Sequence, residues 1–246
     1  MKAVILAAGQ GTRIREVHGE SPKCLIRTGS TTILDHQIEA LVKAGIRKIA
    51  VVVGYQKHQI LDHLRFRCRA LTYSIECLEN PVFHQTNNIY SLWMARHWVD
   101  GSSFVCLNAD VVFHSGILGN VLKSDAPVSM IVDPEWRDET MKVVISGDRV
   151  IQMNKRIDKS AFSGTYIGIT VFGRPIVHKL FSRIGELIQA GRSNEFFNAA
   201  LQELIDQGAH VGFSSTAGLP WAEIDDSQDL QFARKCVFPQ LSPAAA

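Results

Sequence analysis

A short apolar run that ends in a glycine-rich loop opens the chain, and this feature constrains the fold more than any other. Residues 3–8 are all apolar, and the loop Gly9-Gln10-Gly11-Thr12-Arg13 follows directly. A second apolar run, residues 49–53, ends in Gly54-Tyr55. Continuous apolar runs of this length favour strands of a parallel sheet that is covered on both faces. The chain therefore begins as an α/β protein.

The segment between the two predicted strands has the periodicity of a helix. Apolar side chains recur at helical spacing from Ile33 to Val42, with Thr31 or Thr32 as the N-cap and Gly45 as the stop signal. The alternation continues with strands near 71–76 and 104–107 and helices near 56–64, 88–98 and 115–122. We therefore predict an α/β fold with a doubly wound, mixed and mostly parallel sheet.

The second half of the chain has a different rhythm. Two strand-like stretches, 142–145 and 150–153, flank Ser146-Gly147-Asp148-Arg149 and predict a β-hairpin. Further strands are predicted near 128–132, 166–172 and 210–214, and helices near 175–189, 194–207 and 227–236. We expect one domain over residues 1–238, in which residues 133–163 form a hairpin lobe over a ligand site, and a flexible tail over residues 239–246.

Charge and cysteine content exclude several classes of protein. Lys and Arg number 26 against 24 Asp and Glu, and a net charge of +2 lacks the positive excess typical of nucleic-acid-binding proteins. No run approaches the ~18 apolar residues of a membrane helix, and the first apolar run is too short for a signal peptide. Five cysteines without a C-x-x-C pair favour a reducing compartment. We expect a cytoplasmic protein that binds small molecules and neither nucleic acid nor membrane, with a homodimer left open.

The loop after the first strand is suited to binding phosphate. Gly9 and Gly11 allow backbone N–H groups to approach an anion, and Arg13 and Lys23 add two cations that suit a triphosphate. The spacing lacks the final Gly-Lys-Ser/Thr of a Walker loop, and Ile14 stands where a dinucleotide fingerprint has its third glycine. We therefore predict a nucleotide site of another kind.

Leu6-Ala7-Ala8-Gly9-Gln10-Gly11-Thr12-Arg13, with Pro22-Lys23 beyond it, resembles the motif of the nucleotidyltransferase superfamily that includes the sugar-phosphate nucleotidylyltransferases. Later segments resemble the bacterial phosphocholine cytidylyltransferases and phosphonate cytidylyltransferases: Thr86–Leu92, Asn108-Ala109-Asp110, Met141-Lys142-Val143, Tyr166–Ile169 and Glu223-Ile224-Asp225. The resemblance extends from residue 2 to about residue 235. It implies the Rossmann-like nucleotidyltransferase fold and a cytidylyltransferase activity.

The resemblance implies that Asp110 and Asp225 hold a Mg²⁺ ion on the nucleotide phosphates. Mg²⁺ prefers one or two carboxylates together with phosphate and water oxygens, which agrees with this pair. Each aspartate has an ordinary alternative role as the N-cap of the following helix, although Asp226 is the better cap in the second case. Asn108 stands where a relative with an Asp-x-Asp motif has a carboxylate, which leaves a second metal unsupported.

The resemblance also implies the contacts of the nucleotide, and Arg13 and Lys23 are the implied catalytic residues. Asn87 and Asn88 each offer an amide donor and an amide acceptor to a pyrimidine, and one of them is expected to cap the 88–98 helix. The implied nucleotide contacts are Leu6, Ala8, Gly9, Gly11, Thr12, Arg13, Lys23, Gln56 and Asn87.

The predicted hairpin lobe carries the candidate residues for the second substrate. Residues 133–139 place Trp136 among carboxylates, which is either an amine site with a cation–π contact or a solvated loop. Lys142 is the cation that the motif context favours for gripping a phosphate or phosphonate, ahead of Lys155 and Arg156. Tyr166 either lines the same pocket or fills the core.

Together with these residues, the resemblance implies a Mg²⁺-dependent cytidylyltransferase that couples CTP to phosphocholine, 2-aminoethylphosphonate or a similar compound and releases pyrophosphate. One alternative is a sugar-1-phosphate nucleotidylyltransferase that uses UTP, dTTP or GTP, since the same loop and metal site would serve it. The other is a non-catalytic nucleotide-sensing subunit, which would not need the full set of Arg13, Lys23, Asp110 and Asp225.

Overall fold

The structure, a computed structural model, describes residues 1–67 and 72–241. The strands are β1 (Lys2–Ala7), β2 (Lys48–Val53), β3 (Ser74–Glu79), β4 (Phe104–Asn108), β5 (Val111–Phe113), β6 (Val128–Asp133), β7 (Lys142–Ser146), β8 (Arg149–Asn154), β9 (Gly164–Phe172), β10 (Val211–Ser215) and β11 (Trp221–Glu223). The α-helices are α1 (Arg15–His18), α2 (Ile33–Lys43), α3 (Lys57–Arg67), α4 (Asn88–Met94), α5 (Arg96–Val99), α6 (Gly116–Val121), α7 (Arg174–Gln189), α8 (Asn198–Asp206) and α9 (Ser227–Phe232). In the described ranges, no helix combines the length and apolarity that a membrane span requires.

A nine-stranded mixed sheet forms the centre of the molecule. Its main path has the order β10-β6-β9-β4-β1-β2-β3, and the predicted hairpin of β7 and β8 joins it through β9. β1 pairs in parallel with β2 and β4, whereas β9 runs antiparallel between β4 and β6. From β1 the chain adds β2 and β3 on one side of the sheet, and β4 is then added on the other side of β1. The strand order therefore reverses between β1 and β4. Ligands bind at such a switch point, beyond the carboxyl ends of the strands.

Apolar side chains of the central strands face both sides of the sheet, which explains why the first two strands are apolar at successive positions. In β1, Ala3 and Ile5 pack in the cluster under α2 and α3, whereas Val4 and Leu6 pack in the cluster under α4, α7 and α8. A third, smaller cluster lies under β5, β11 and α9 and includes Ile224. The helix layers on both faces confirm the doubly wound α/β architecture.

Local signals place several element ends as predicted. Thr32 is the N-cap of α2, where its hydroxyl accepts from the Asp35 N–H and the Asp35 carboxylate accepts from the Thr32 N–H. α2 ends at Lys43, and Gly45 follows with a φ of 84°, a left-handed conformation that glycine adopts readily. The hairpin turns at Gly147, whose φ is 62°.

Other bounds differ from the prediction. β3 begins three residues later than predicted, and residue 71 lies outside the described residues. The predicted 88–98 helix is divided into α4 and α5, and the 227–236 helix becomes a π-helix at Ala233–Val237. α8 starts at Asn198 because the segment before it is a loop held by backbone bonds to residues 87–89. A 3₁₀ helix covers Phe238–Gln240, and residues 242–246 of the predicted tail lie outside the described part.

Candidate active site

A cleft of about 230 Å³ opens at the carboxyl ends of β1, β3 and β4. The register of the sheet places Leu6 of β1 beside Asn108 of β4, and Asn80 directly follows β3. The cleft therefore lies at the switch point of the sheet. Its lining consists of Leu6, Ala8, Gly9, Arg13, Asn80, Phe83, Thr86, Asn87, Asn88, Ser91, Asn108, Asp110, Glu139, Thr140, Met141, Lys155, Tyr166, Gly168, Phe196, Asn198, Glu223 and Asp225.

The glycine loop forms one end of the cleft. A Cβ on Gly9 would meet no atom within 4 Å, so the backbone at this position is open to a ligand. Gly11 has a φ of 57°, and a Cβ there would lie 2.8 Å from Cγ of Lys23. Gly11 and Lys23 line a smaller depression that adjoins the cleft through Gly9 and Asp110. The exposed Thr12 lies outside both.

Two cations and two carboxylates converge beside this loop. The Lys23 ammonium donates to Oδ1 of Asp225 at 2.5 Å and lies 3.7 Å from Oδ2 of Asp110. Arg13 donates to Oδ2 of Asp225 at 2.6 Å and to Glu139 at 3.0 Å. The structure thus brings together the four residues to which the sequence assigned catalysis and metal binding, from three distant parts of the chain.

Two short strands that the sequence analysis missed bring the aspartates together. β5 and β11 pair antiparallel, with Val111 opposite Glu223, and the Ile224 N–H donates to the Asp110 carbonyl oxygen at 3.0 Å. Each strand has only three residues, too few for a periodic pattern to reveal. Their pairing places Asp110 and Asp225 side by side at the cleft.

Neither aspartate serves as the cap of a following helix. Asp226 is the N-cap of α9, and it forms a reciprocal capping box with Asp229. Ser115 stands at the N-cap position of α6, which Asp110 therefore does not occupy. Asp225 is left with its carboxylate facing Arg13 and Lys23, and its own N–H is held by Asp229 at 2.9 Å.

Burial and charge shift the pKa values of the acidic cluster in different directions. Burial raises the pKa of Asp110, which Lys23 only partly offsets, and burial beside Asp110 and Asp225 raises the pKa of Glu223 to about 8. Burial acts in the same direction on Asp225, but Lys23 and Arg13 outweigh it and hold its pKa below the ordinary value. Burial opposes the charge on Lys23, yet the two aspartates raise its pKa and keep it protonated. The cluster therefore contains a charged pair, Lys23 with Asp225, next to two buried carboxyl groups whose pKa values are raised.

The donor set fits a Mg²⁺ ion that also binds phosphate. Oδ1 of Asp110 is buried and has no hydrogen-bond partner among the described residues. This oxygen is therefore available to bind a metal ion. Among the described side chains no group of three or more His, Cys, Asp or Glu is arranged for a metal. Two carboxylates are nevertheless sufficient for Mg²⁺ when phosphate and water supply the other oxygens. Since Lys23 now bridges the pair, its ammonium would have to leave Asp225 for the ion to enter.

Uncharged polar residues form another part of the cleft lining. Asn80 is buried, donates to Thr86 and Ser91, and accepts from the Val82 N–H. It thereby fixes the segment that carries Asn87 and Asn88 along the cleft. Asn87 is the N-cap of α4, as expected for one of the two asparagines.

The structure does not bring Trp136 and Lys142 into the cleft. Lys142 is only 2% exposed, its ammonium lies 4.6 Å from the centre of the Trp136 ring, and it donates to the carbonyl oxygens of Thr140 and Lys155. Lys159 covers the same ring at 5.3 Å. Two lysines of this chain, Lys142 and Lys159, therefore already contact the Trp136 ring. The hydrogen bonds of Lys142 to two carbonyl oxygens hold the backbone of the hairpin.

The remaining predicted contacts divide between the cleft and the surface. Tyr166 lines the cleft although it is almost fully buried, and its hydroxyl accepts from Thr170 at 2.8 Å. Gln56 is exposed, has a φ of 48° and lies outside the cleft lining. The sequence analysis gave Lys155 less weight than Lys142, yet Lys155 is the hairpin cation that lines the cleft. The sequence signal that could have identified Lys155 is its position directly after the second strand of the hairpin.

Comparisons with known proteins identify the family of this chain. Residues 3–166 match the model of the MobA-like NTP transferase domain. A CTP:phosphoglutamine cytidylyltransferase from Campylobacter jejuni is 24% identical over 94% of this chain and 98% of its own length. A choline-phosphate cytidylyltransferase from Streptococcus pneumoniae is 28% identical over 93% of this chain and 95% of its own length. A UTP–glucose-1-phosphate uridylyltransferase from Haloferax volcanii is 26% identical over 94% and 97%.

A solved structure supports the fold independently. The inositol-1-phosphate CTP transferase from T. maritima superimposes with a TM-score of 0.83 at 21% identity, covering 100% of this chain and 97% of the other. The match to the family model includes the glycine loop, Lys23, Asp110 and Tyr166, and it extends over more than half of the chain. The chain therefore belongs to the family of the MobA-like NTP transferase domain and is a nucleotidyltransferase.

Proposed function

We propose that this protein is a Mg²⁺-dependent cytidylyltransferase that couples CTP to a small zwitterionic phosphate or phosphonate. The observation that carries the proposal is the convergence of Arg13 and Lys23 with Asp110 and Asp225 beside an open glycine loop. A triphosphate placed against this loop would meet backbone N–H groups and both cations. The relatives named for CTP support the choice of nucleotide.

The proposed reaction transfers a cytidylyl group. An oxygen of the acceptor's phosphate or phosphonate attacks the α-phosphorus of CTP and forms a new P–O bond. The bond from the α-phosphorus to the oxygen that bridges to the β-phosphorus breaks, and pyrophosphate leaves with that electron pair. Since both reactants are anions, the protein must chiefly align them and neutralise charge, a task for Arg13 and Lys23.

Asp110 and Asp225 would hold Mg²⁺ against the phosphates. The ion, when bound, supplies further positive charge at the phosphate oxygens. Lys23 would then exchange its bond to Asp225 for a contact with the phosphates, staying charged in both positions. Lys23 therefore has a negatively charged partner both before and after the nucleotide binds.

The charges of the cleft favour an acceptor with a cationic group. The lining contains four carboxyl groups, on Asp110, Glu139, Glu223 and Asp225, against the cations Arg13 and Lys155. Mg²⁺ would occupy Asp110 and Asp225. When Arg13 leaves Glu139 for the phosphates, the Glu139 carboxylate becomes available to an ammonium or amine, whereas burial raises the pKa of Glu223 to about 8 and leaves that group mostly uncharged at neutral pH. Lys155 is then the residue for the acceptor's phosphate or phosphonate. Relatives named for choline phosphate and phosphoglutamine agree with such an acceptor.

A sugar-1-phosphate nucleotidylyltransferase is the second candidate, because one relative is named for UTP and glucose 1-phosphate. The two candidates share the phosphate-binding loop and differ in base and acceptor. The test is a matrix of CTP, UTP, dTTP and GTP against phosphocholine, 2-aminoethylphosphonate, hydroxyethylphosphonate and glucose 1-phosphate, measured by pyrophosphate release. The Lys23→Ala variant sets the background.

Fastest turnover with CTP and an amine-bearing acceptor is the expected result. Faster turnover with UTP or dTTP and glucose 1-phosphate would replace the proposal by the second candidate. CTP with hydroxyethylphosphonate as the best pair would retain the cytidylyltransferase and reject the zwitterionic acceptor.

A further inference from the structure

One polar side chain interrupts the apolar face with which α2 packs on the sheet. Leu34, Ile38 and Leu41 lie on this face, at helical spacing, in the core cluster under α2 and α3. Gln37 directly precedes Ile38, and its side chain is fully buried. A buried amide destabilises a fold unless its polar atoms are hydrogen-bonded. The contacts of Gln37 must therefore account for its presence on this face.

Gln37 holds both ends of the turn that carries Asp110. Its Nε2 donates to the Asn108 carbonyl oxygen at 2.8 Å and to the Val111 carbonyl oxygen at 2.7 Å. Asn108 ends β4, and Val111 begins β5. Only Ala109 and Asp110 lie between them. One nitrogen atom therefore fixes the backbone on both sides of Asp110.

The Gln37 amide can make both bonds in one orientation only. Its nitrogen carries two hydrogens, one for each carbonyl oxygen, whereas its oxygen cannot donate. Oε1 is buried and has no hydrogen-bond partner within residues 1–67 and 72–241. An unpaired buried oxygen destabilises the fold, and an apolar side chain of the same shape would avoid that loss. What glutamine adds at this position is therefore its pair of N–H donors.

The turn needs this support because it connects two sheets. β4 belongs to the central sheet, whereas β5 forms the two-stranded sheet with β11. The Ala109 N–H donates to the Leu6 carbonyl oxygen at 3.3 Å, and the Asp110 carbonyl oxygen accepts from the Ile224 N–H at 3.0 Å. Gln37 adds two bonds from α2, so that the turn is held from β1, from the chain beside β11 and from the helix layer.

Side-chain contacts hold the Asp110 carboxylate only loosely. Its Oδ1 has no partner among the described residues, and its Oδ2 lies 3.7 Å from Nζ of Lys23. The direction of this carboxylate therefore depends on the backbone that carries it, which Gln37 fixes.

We propose that Gln37 is a positioning residue for the metal site and holds the backbone of Asp110 so that its carboxylate faces that of Asp225. The proposal rests on the proposed function for the Mg²⁺ ion that the two aspartates would bind. Gln37 itself contacts neither the ion nor the substrates. Removing a group that orients a metal ligand typically changes metal affinity or activity by about 10–100-fold.

A variant on the same helix serves as the matched control. Gln37→Met removes both donors and keeps the length of the side chain. His36→Phe removes the bond from Nε2 of His36 to the Phe113 carbonyl oxygen, which is 2.7 Å long and lies at the far end of β5. Both variants thus remove contacts between α2 and β5, but only Gln37→Met acts beside Asp110. Gln37→Glu is a second test variant, because its carboxyl group carries at most one hydrogen and cannot serve both carbonyl oxygens.

Titration calorimetry with CTP, in saturating Mg²⁺ and in EDTA, measures the contribution of the metal without turnover when no acceptor is present. The ratio of the two Kd values is the informative quantity, since Mg²⁺ changes free CTP in the same way for every variant. We expect Gln37→Met to reduce the wild-type ratio by about tenfold and His36→Phe to leave it within about twofold. A wild-type ratio in both Gln37→Met and Gln37→Glu would overturn the proposal.

Amide hydrogen exchange in the protein without ligand tests the position of the backbone directly. The Ile224 N–H reports on the Asp110 end of β5, and the His114 N–H, which donates to the Pro220 carbonyl oxygen at 2.8 Å, reports on the other end. Gln37→Met should speed exchange of the Ile224 N–H by about tenfold relative to the His114 N–H, and His36→Phe should have the reverse effect. Equal acceleration at both ends in Gln37→Met would indicate a general loss of stability and reject the positioning role.

The same measurements separate this proposal from the proposed function. Mg²⁺-dependent CTP binding that is unaffected in Gln37→Met would reject the positioning role and leave the proposed function standing. CTP binding that is independent of Mg²⁺ in the wild-type protein would count against the metal and therefore against both. An absence of pyrophosphate release with every acceptor, together with Mg²⁺-dependent binding that Gln37→Met weakens, would count against the proposed function alone.

Discussion

Lys23 and Asp225 form an ion pair between residues 202 positions apart, with Nζ 2.5 Å from Oδ1. Arg13 engages the other oxygen of the same carboxylate at 2.6 Å. Both oxygens of Asp225 are therefore bonded to cations that the proposed reaction needs at the phosphates. Nucleotide binding should exchange these partners, and the first two predictions follow from this exchange.

Lys23→Ala should reduce turnover by about 10²–10³-fold, because it removes a charge that is already oriented towards the phosphates. Pyrophosphate release measures the loss, and a thermal unfolding curve establishes that the variant is folded. Lys123→Ala, which removes an exposed lysine, is the matched control and should retain full activity. Near-native turnover of a folded Lys23→Ala protein would reject the catalytic assignment.

Asp225→Asn should abolish Mg²⁺-dependent turnover, since an amide oxygen is a far weaker ligand for this ion than a carboxylate. It should lower the free energy of unfolding by about 1 kcal/mol at most, because the ion pairs it breaks are partly exposed. Asp226→Asn is the control: it preserves the cap of α9 and should preserve both activity and stability. Full activity of Asp225→Asn, or of the wild-type protein in EDTA, would remove the metal from the reaction.

Gly9→Ala and Gly11→Ala should have different effects, with loss of ligand access at Gly9 and backbone strain at Gly11. At Gly9 an added methyl group has free space, so Gly9→Ala should leave thermal stability unchanged and weaken CTP binding. At Gly11 the φ of 57° and the contact with Lys23 should lower the free energy of unfolding by about 1–2 kcal/mol. Calorimetric titration with CTP and thermal unfolding give the two quantities. CTP binding by Gly9→Ala that equals the wild type would mean that phosphate does not approach this backbone.

Lys155→Met should raise the KM for the acceptor more than the KM for CTP, because Lys155 is the hairpin cation in the cleft. Trp136→Ala should leave the preference for an amine-bearing acceptor unchanged, since Lys142 and Lys159 already cover this ring. Steady-state kinetics with 2-aminoethylphosphonate and hydroxyethylphosphonate distinguish the two variants. A narrowed amine preference in Trp136→Ala would restore the sequence-based assignment.

The pair of Asp35 and His63 should contribute stability that depends on pH. Asp35 is 5% exposed and lies 2.8 Å from Nε2 of His63. Burial raises its pKa, but the bonds from His63 and Thr32 outweigh burial and hold the pKa well below the ordinary value. A carboxylate with a depressed pKa stabilises the fold above its unfolded pKa of about 4, and this stabilisation is lost as the pH falls towards the folded value.

Asp35→Asn should therefore lower the free energy of unfolding by about 1–3 kcal/mol at pH 7, with a smaller difference from the wild type below pH 4. Urea unfolding between pH 2.5 and pH 7 measures this difference. Asp62→Asn removes an exposed carboxylate on α3 and should have little effect at any pH in this range. A difference for Asp35→Asn that does not change with pH would show that its charge is not the stabilising property.

Local sequence patterns were sufficient to predict one part of this protein. The apolar runs of β1 and β2, an N-cap at Thr31 or Thr32 and the hairpin were all predicted from residues close together in the chain. The glycine loop with Arg13 and Lys23 was also predicted as a phosphate site. Such patterns succeed because a strand's alternation, a helical turn or a cap depends on contacts among neighbours.

The tertiary structure alone decided the relations between distant segments. The pairing of β5 with β11 brings Asp110 to Asp225, but each strand is too short to be recognised in the sequence. The burial of Lys142 and the bond from the Phe197 N–H to Asn88 likewise depend on residues remote in the chain. The sequence shows that an asparagine amide has a donor and an acceptor. Only the fold determines that the Asn88 oxygen accepts from the Phe197 N–H, because that partner comes from another part of the chain.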